Sequence, residues 1–376
     1  MQTTRFTKRD EQLMSKAIDL AKRGRGHVEP NPMVGAVIAQ HGKLIGDGWH
    51  KQFGGPHAEI EAISATRLSR NGLAGATMYV TLEPCCTQGK TPPCTEAILA
   101  AKIARVVVAM VDPDTKVAGA GIAILRKAGL RVDVGLCETS VKQLLGAYVK
   151  SRTKRQPWVI CKWAQTADGF LALPPGRDRW ISNNQSRKHV HELRGLVDGI
   201  LVGIGTVLAD DPMLTNRSGK GNQPTRIVLD SNLRISLDCQ LVRTADESPV
   251  IVATTLTGIE NKAAKATQLQ AGGVEVLAIG ANRNGQVDLD LLLDELGGRH
   301  WTYLLAEGGQ QTLASFIQIH QADELMVYVS PKVLGSESVP GLPQLDIAMM
   351  PERTRYHKLE SRLLGQDRFF RYVLDK

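Results

Sequence analysis

The first part of the chain alternates between two hydrophobic periods, one typical of helices and one typical of strands. Over residues 7–23, apolar side chains recur every three or four positions, which predicts an amphipathic helix that Thr7 caps. Short apolar runs between turn residues predict strands over residues 34–39, 44–46, 76–82, 105–110 and 131–134. Further helices are predicted over residues 57–66, 94–101, 121–128 and 141–151. A hairpin followed by repeated helix–strand units predicts an α/β sandwich.

A second set of apolar strands follows residues 152–157, a polar and basic segment that ends in proline. Proline cannot continue a helix and the composition is that of a linker, so we predict two domains, residues 1–152 and residues 153–376. Helices are predicted over residues 184–196, capped by Ser182 or Asn183, and from residue 311, whereas residues 203–206 are predicted as a loop. The predicted strands cover residues 158–163, 199–202, 226–229, 250–253, 274–278, 303–306, 324–329 and 369–374. The second domain is therefore also predicted to be α/β.

Composition narrows the class of protein. The 376 residues are 43% hydrophobic and 22% charged, which is ordinary for a globular protein. Six cysteines are too few for a disulfide scaffold, and residues 1–25 lack the apolar core of a signal peptide. No run of about 18 apolar residues predicts a membrane span, so we expect a cytoplasmic protein without a membrane partner. The net charge of +8 suits phosphorylated small molecules. Because basic residues are scattered and aromatic residues make up only 5%, we do not expect nucleic acid as a partner.

Four residues between positions 57 and 94 are the parts of a catalytic zinc site. His57, Cys85 and Cys94 supply one imidazole and two thiolates, and Glu59 lies two positions after the histidine. Three protein ligands leave the fourth tetrahedral position for water, whose pKa zinc lowers from roughly 15.7 to about 7. Glu59 would then move protons between the water, a ring nitrogen and departing ammonia. A His-x-Glu sequence followed by Pro-Cys is typical of zinc nucleobase deaminases.

Cys86 offers an alternative, in which zinc has four protein ligands and only stabilises a non-catalytic interaction protein. Structural zinc sites usually contain two close pairs of ligands, whereas here Cys85 and Cys86 are adjacent. Adjacent side chains on a strand point to opposite faces, so one metal ion cannot readily bind both thiolates. We therefore predict that Cys86 is a small half-buried residue outside the site.

The spacing of the cysteines adds a family resemblance. Cys94 follows Cys85 by nine positions (94 − 85) and is preceded by Thr91-Pro92-Pro93. In the usual deaminase motif, Pro-Cys-x-x-Cys, the second cysteine follows by only three positions. The longer form found here resembles the deaminase half of the bifunctional riboflavin-biosynthesis deaminase/reductase family. The resemblance implies a cytidine-deaminase-like α/β/α sandwich in which Asn31 contacts the pyrimidine ring, although an Asn between prolines usually only caps a turn. Lys90 lies between two predicted zinc ligands and can reach a substrate phosphate, although a lone lysine is more often only solvated.

Glycines follow two predicted strands of the second domain, at Gly203 and Gly205 and at Gly308 and Gly309. Such glycines let a backbone approach phosphate, but their spacing alone equally describes two tight turns. Leu208 stands where a dinucleotide fingerprint has its third glycine. Four segments nevertheless resemble the reductase half of the same family, and these are Ala164 with Asp168-Gly169, Trp180-Ile181-Ser182, residues 206–212 and Glu307-Gly308-Gly309.

This second resemblance implies a dihydrofolate-reductase-like α/β domain that uses NADPH. The residues that it places along the cofactor are Ala164, Trp180, Thr206, Asp210, Ser231, Gly309, Gln310, Gln311, Thr312, Leu313, Ala314 and Ser315. The residues that it places along the sugar phosphate are Asp178, Arg194, Leu214, Arg217 and Glu307. Arginine suits phosphate through its bidentate geometry, whereas a carboxylate such as Asp178 does not. The alternative for the arginines is a surface charge, with Arg194 paired within its own helix.

Together the resemblances imply one enzyme with two activities. The first domain would deaminate 2,5-diamino-6-(5-phosphoribosylamino)pyrimidin-4-one with one zinc ion. The second would reduce the ribosyl group of 5-amino-6-(5-phosphoribosylamino)uracil to ribityl with NADPH. We expect a homo-oligomer, a dimer through the reductase domain. The alternative, suggested by the positive charge, is a tRNA or DNA base deaminase with an accessory domain, which would bind polynucleotides in a salt-dependent manner.

Overall fold

The structure is a computed structural model, and it describes residues 6–66, 70–88, 92–172, 180–335 and 356–375. The chain divides into two compact units, Met1–Arg155 and Gln156–Lys376. No helix within these described ranges is long and apolar enough to cross a membrane.

The first unit is built on one mixed sheet. Its strands are β1 (Gly35–Gln40), β2 (Lys43–Trp49), β3 (Thr77–Leu82), β4 (Arg105–Met110) and β5 (Arg131–Val134). In the described part of the unit they form a five-stranded sheet in the order β2-β1-β3-β4-β5. β1 runs antiparallel to both of its neighbours, whereas β3, β4 and β5 are parallel. The carboxyl ends of the parallel strands therefore meet at one edge of the sheet, where α/β proteins bind ligands.

Helices cover both faces of this sheet. They are α1 (Lys8–Ala21), α2 (Ala58–Ser64), α3 (Cys94–Ala100), α4 (Ala120–Lys127), α5 (Glu138–Leu144) and α6 (Gly146–Thr153). Thr7 caps α1 as predicted, in a capping box with Asp10. One core cluster packs α1, α5 and α6 on one face of the sheet, and a second packs α2, α3 and α4 on the other. Successive strand residues such as Val106 and Val107 alternate between these clusters, which confirms the predicted α/β/α sandwich.

The second unit is built on a larger sheet. Its strands are β6 (Trp158–Gln165), β7 (Gly199–Gly203), β8 (Thr225–Leu229), β9 (Val250–Thr255), β10 (Glu275–Ile279), β11 (Tyr303–Glu307), β12 (Glu324–Val329), β13 (Tyr356–Leu364) and β14 (Asp367–Leu374). Among the residues described here the order is β10-β9-β8-β7-β11-β6-β12-β14-β13. The strands from β6 to β12 are parallel, and β14 and β13 are antiparallel additions. Seven carboxyl ends therefore share one edge of the sheet.

The helices of the second unit are α7 (Asn184–Arg194), α8 (Ile204–Asp210), α9 (Gln240–Arg243), α10 (Leu256–Asn261), α11 (Ala263–Ala271), α12 (Leu289–Gly298) and α13 (Gln310–Gln318). Asn183 is the cap of α7, since its side chain accepts from the first free backbone N–H groups. Leucines of α12 and α13 pack with β6, β7 and β11 in one core. The α/β class predicted for this domain is confirmed.

One prediction for the second unit is wrong, and one strand was not predicted. Residues 203–206 were predicted to form a loop, but α8 begins at Ile204, directly after β7. The strand β13 was not predicted, because most of its side chains are exposed and its sequence lacks an apolar alternation. An edge strand of this kind is held mainly by its backbone pairing with β14.

Candidate active sites

Three predicted zinc ligands converge at the carboxyl edge of the first sheet. His57 is the N-cap residue of α2, Cys85 follows β3, and Cys94 begins α3. Nδ1 of His57 lies 3.4 Å from Sγ of Cys85 and 3.3 Å from Sγ of Cys94, and the three ligand atoms all lie within 4.8 Å of one another. A tetrahedral zinc ion, with Zn–S of about 2.3 Å and Zn–N of about 2.0 Å, separates such ligands by roughly 3.5 Å. The side chains therefore fit a zinc ion as they stand.

The three groups share protons that a metal ion would displace. The hydrogen bond with Cys94 and a further one with His57 lower the pKa of Cys85 to about 4, although burial opposes this. The hydrogen bond with Cys85 and burial raise the pKa of Cys94, and the hydrogen bond with Cys85 raises that of His57. A thiolate in contact with a protonated imidazole can exchange the shared proton for a dication.

Glu59 lies in α2 with its carboxyl group against the ligand cluster. It is 3% exposed and forms a hydrogen bond with Cys94. Burial and the negative charge of Cys85 raise the pKa of Glu59 to about 7. A carboxyl group with this pKa both accepts and donates a proton near neutral pH, as a general acid-base group must.

A histidine that no sequence motif marks, His50, fixes the orientation of Asn31. Nδ1 of His50 lies 2.9 Å from the carbonyl oxygen of Pro56, which can only accept, so Nδ1 bears the proton. Burial lowers the pKa of His50, which keeps the ring neutral. Its Nε2 therefore accepts a hydrogen bond from the amide nitrogen of Asn31, 3.2 Å away. The rings of His50 and His57 meet edge to face, 5.3 Å apart, so Asn31 is held beside the predicted metal ligands.

Cys86 and Lys90 are the two other residues of the first unit for which the sequence led to a prediction. Among the described residues, the ligand cluster contains His57, Cys85 and Cys94, and Cys86 is half-buried outside it. The reason predicted for this from strand geometry is wrong, however, because β3 ends at Leu82 and both cysteines lie in the loop that follows. Lys90 lies outside the described residues.

In the second unit, predicted cofactor residues lie where parallel strands end. Ala164 is the penultimate residue of β6, Ser231 follows β8, and Gly309 follows β11 as the N-cap of α13. Oγ1 of Thr206, in α8, accepts a hydrogen bond from the backbone N–H of Gly309 at 3.1 Å. Asp210 ends α8 and is exposed. The structure thus brings residues from distant parts of the sequence to the edge where α/β sheets bind nucleotides.

Gly308 allows the backbone that links β11 to α13 to approach Thr206 closely. Its φ is +122°, and an added Cβ would lie 2.8 Å from Oγ1 of Thr206. The first N–H groups of α13 receive no side-chain cap, so they remain donors for a ligand at the edge. Of the predicted residues in α13, Leu313 is fully buried in the core, and Ser315 donates its hydroxyl to the carbonyl of Gln311. The first turn of α13 is therefore its best placed part for binding a cofactor.

A buried ionic cluster centres on Glu307, the last residue of β11, which is 6% exposed. Nε and Nη2 of Arg194 donate to its two carboxylate oxygens at 2.8 Å and 3.1 Å. Nζ of Lys162, on β6, lies 3.3 Å from the same carboxylate. Burial alone would raise the pKa of Glu307, but Arg194 and Lys162 lower it to about 2. The carboxylate is therefore ionised at neutral pH.

Arg194, predicted to hold phosphate, already has three internal hydrogen bonds. Its Nη1 donates to the carbonyl oxygen of Thr215 at 3.0 Å, in addition to the two bonds with Glu307. It thus pairs with a strand and a loop and not with its own helix. Lys162 was missed by sequence reasoning, because a single lysine in a strand has no motif. It is the register partner of Glu307 and lies two positions before Ala164.

The remaining predicted residues of the second unit have varied surroundings. Leu214 is buried and has a φ of +53°. The backbone nitrogen and the side chain of Arg217 both contact the ring of His191, in α7. Trp180 is 44% exposed, and Oγ of Ser231 accepts a backbone N–H at 3.0 Å. Asp178 lies outside the described residues.

Comparison with known protein families finds one match in each of the two units. Residues 7–110 match the cytidine and deoxycytidylate deaminase zinc-binding region, and residues 157–367 match the RibD C-terminal domain. The riboflavin biosynthesis protein RibD of Aquifex aeolicus (strain VF5) is 40% identical over 359 residues, which cover 95% of this chain and 96% of that protein. The solved structure of Acinetobacter baumannii RibD, form 1, is 34% identical with a TM-score of 0.80, covering 98% of this chain and 99% of the other.

A third relative has a solved structure whose name states two activities. It is the diaminohydroxyphosphoribosylaminopyrimidine deaminase/5-amino-6-(5-phosphoribosylamino)uracil reductase of Thermotoga maritima. It is 32% identical with a TM-score of 0.78, covering 97% of this chain and 99% of that one. These relatives match along nearly their whole length, which confirms the resemblance inferred from the motifs. The chain therefore belongs to the RibD family of riboflavin-biosynthesis proteins, with the deaminase region first and the RibD C-terminal domain second.

Proposed function

We propose that the first unit of this bifunctional enzyme removes an amino group from a pyrimidine with the help of one zinc ion. The observation that supports this most is the convergence of His57, Cys85 and Cys94 at zinc-ligand distances, with Glu59 beside them. Three ligands leave one position open, as catalytic zinc sites do. When bound, zinc supplies a Lewis acid that makes water nucleophilic at neutral pH.

The residues of the chain then divide the remaining work. Glu59 takes the two protons of the attacking water in turn and delivers one to the ring nitrogen and the other to the amino group, which departs as ammonia. Burial raises the pKa of Glu59, which favours transfer in both directions. Asn31, whose amide nitrogen faces His50, keeps its carbonyl oxygen and its second N–H for the pyrimidine ring. The balance is one water consumed, one ammonia released and one ring carbonyl formed.

We propose the substrate that the name of the Thermotoga maritima relative indicates, 2,5-diamino-6-(5-phosphoribosylamino)pyrimidin-4-one. Deamination gives 5-amino-6-(5-phosphoribosylamino)uracil, which would be the substrate of the second unit. The net charge of +8 is favourable for both phosphorylated compounds.

For the second unit we propose NADPH as the reductant, bound along the carboxyl edge of the sheet. Support comes from the uncapped first turn of α13 and from the close approach at Gly308. When bound, NADPH supplies the hydride that converts the ribosyl group to ribityl. The reduction also consumes a proton, and we propose that Lys162 donates it, because Lys162 pairs with Glu307 and lies two positions before Ala164 on β6.

One assay tests both proposals. The purified chain is incubated with the diaminopyrimidine phosphate, with and without NADPH, while ammonia and NADPH absorbance are followed. Ammonia should appear without NADPH, and NADPH should be oxidised only after ammonia is released or when the deaminated product is supplied. Absence of ammonia release, together with salt-dependent binding of RNA or single-stranded DNA, would favour the alternative of a polynucleotide base deaminase.

A further inference from the structure

A buried carboxylate that the proposed reaction does not use lies directly before the zinc ligand loop. Glu83 is 6% exposed and precedes Cys85 by two positions, in the loop after β3. Its carboxylate accepts hydrogen bonds from four backbone N–H groups. Two of them lie in the loop between β4 and α4, and the other two lie in the first turn of α4. Oε2 accepts from Asp112 at 3.1 Å and Gly119 at 2.9 Å, and Oε1 accepts from Gly121 at 2.9 Å and Ile122 at 3.2 Å.

These bonds replace a cap that α4 does not have in its own sequence. The N-cap residue of α4 is Gly119, with a φ of +78° and no side chain to accept from the first turn. The first N–H groups of a helix lack internal partners, and a negative charge there is favourable. Glu83 therefore caps α4 from a different element, and the same bonds fix the position of Glu83 itself.

The main chain between Glu83 and Cys85 also rests against α4. A Cβ added at Gly121 would lie 2.1 Å from the carbonyl oxygen of Pro84, so only glycine permits this approach. On its other side, Cys85 is tied to α3, since its Sγ accepts from the backbone N–H of Cys94 at 3.3 Å. The ligand loop is thus anchored to α4 through Glu83 and to α3 through Cys85.

We infer that Glu83 is a positioning residue for the zinc site, because it sets where the loop places Sγ of Cys85 relative to the other two ligands. The inference rests on the proposed zinc-dependent deamination. In a Glu83→Gln variant the side chain has nearly the same length, but an amide NH₂ replaces one carboxylate oxygen and confronts backbone N–H donors. The loop should then shift away from α4, and Cys85 should move with it.

Asp10 offers a matched control in the same unit. It is also a buried carboxylate, 4% exposed, and it accepts hydrogen bonds from Thr7, Tyr79 and Arg105. None of these partners belongs to the ligand loop or to α4. Asp10→Asn should therefore lower the stability of the unit without disturbing the geometry of the zinc ligands.

The experiment compares full-length wild type, Glu83→Gln and Asp10→Asn at a temperature where all three are folded. It measures the rate at which a chelator removes zinc, the visible absorption after cobalt replaces zinc, and the thermal unfolding midpoint. Glu83→Gln should release zinc at least about tenfold faster than wild type, because changes next to metal ligands typically weaken metal affinity by about 10–100-fold. Its cobalt spectrum should also shift, whereas Asp10→Asn should lower the unfolding midpoint alone. A Glu83→Gln variant with wild-type zinc release and spectrum would overturn the inference.

Gly121→Ala provides a second variant if Glu83→Gln does not fold. The added methyl group presses on the carbonyl oxygen of Pro84 and also lies 3.4 Å from Oε1 of Glu83, so it pushes the ligand loop and Glu83 away from α4 together. It should also speed zinc release and shift the cobalt spectrum, and wild-type values for both would again contradict the inference. A wild-type chain that binds no zinc is a separate outcome, because it removes the proposed function itself and this inference with it.

Discussion

The two proposed active sites differ in how far the protein balances the charges of its own side chains. In the first unit, Cys85, Cys94 and His57 share protons at hydrogen-bond distance, and the pKa of Glu59 is raised to about 7. In the second unit, the charge of Glu307 is balanced by Arg194 and Lys162, and its pKa is lowered to about 2. In the first unit, the thiols and the imidazole share protons that a bound cation would displace. In the second unit, the ion pairs of Glu307 are already formed without a ligand.

Because of this difference, substitutions at the two sites should have different consequences for activity and for stability. Zinc ligands give binding energy to a metal, so removing one should cost metal and activity. A member of a buried ion pair stabilises the fold, and removing it leaves an uncompensated charge. Substitutions in the first site should therefore act mainly on chemistry, and those in the second on both chemistry and stability.

The largest effect is expected from Cys94→Ser. Cys94 is one of the three proposed zinc ligands, so this variant should lose most of its zinc and all measurable ammonia release. Cys86→Ser is the matched control, because Cys86 is an adjacent cysteine outside the ligand cluster. Metal content by atomic spectroscopy measures both. Loss of zinc from the Cys86 variant with retention in the Cys94 variant would show that the ligand set is wrong.

Glu59→Gln should separate the proton carrier from the metal. The substitution leaves all three ligand residues in place, so zinc content should match that of wild type. Ammonia release should fall by about 10²–10⁴-fold, the usual contribution of a general acid-base group. NADPH oxidation with the deaminated product supplied directly should be unchanged. Deamination near the wild-type rate would exclude the role proposed for Glu59.

Glu307→Gln should have a smaller effect on rate but a large effect on stability. Arg194 and Lys162 would be left buried without their carboxylate, and breaking a buried pair in this way costs about 3–5 kcal/mol. Denaturant unfolding of the second unit measures this cost. Reduction should be impaired and deamination retained. Glu324→Gln is a control, since Glu324 is also buried and paired, with Arg371, but it begins β12 at the opposite edge of the sheet from Glu307, which ends β11.

The same variant gives a pH test. The folded-state pKa of Glu307, about 2, lies below its ordinary value of 4.5. Its ion pairs therefore stabilise the second unit fully above about pH 4.5, and this stabilisation is lost as the pH falls toward 2. Glu307→Gln should lack this part of the acid dependence. An identical loss of stability in wild type and variant over that range would assign it to other groups.

Local motifs allowed the three side chains that converge in the first unit to be predicted, because zinc chemistry restricts both the type and the spacing of candidate ligands. His50 could not be predicted in this way, since its effect on Asn31 arises only when the end of β2 meets a distant loop. Lys162 was missed for a similar reason, because its pairing with Glu307 depends on the register of two parallel strands. The strand β13 was missed because an exposed edge needs no apolar alternation. Sequence thus predicted features encoded within short segments, and the fold supplied those that require contacts between segments.

The smallest effect is expected from separating the two units, which tests whether the two sites are independent. The helix α6 continues to Thr153, and the units divide between Arg155 and Gln156. A cut there keeps α6 whole, whereas a cut after residue 152 would remove its last residue. Within the described residues, the three core clusters each draw their side chains from a single unit, so we expect each fragment to have the apolar surface needed to fold alone.

Residues 1–155 should bind zinc and release ammonia from the diaminopyrimidine at close to the rate of the full chain. Residues 156–376 should oxidise NADPH only when the deaminated product is supplied. If the second fragment forms the predicted dimer, its yield should depend on concentration while its specificity does not change. A mixture of the two fragments serves as the control, since it should carry out both reactions in sequence. A second fragment that is folded and binds NADPH, yet reduces the product only in the presence of the first, would show that its site is shared between the units. The charge-balanced cluster around Glu307 would then be an incomplete description of that site.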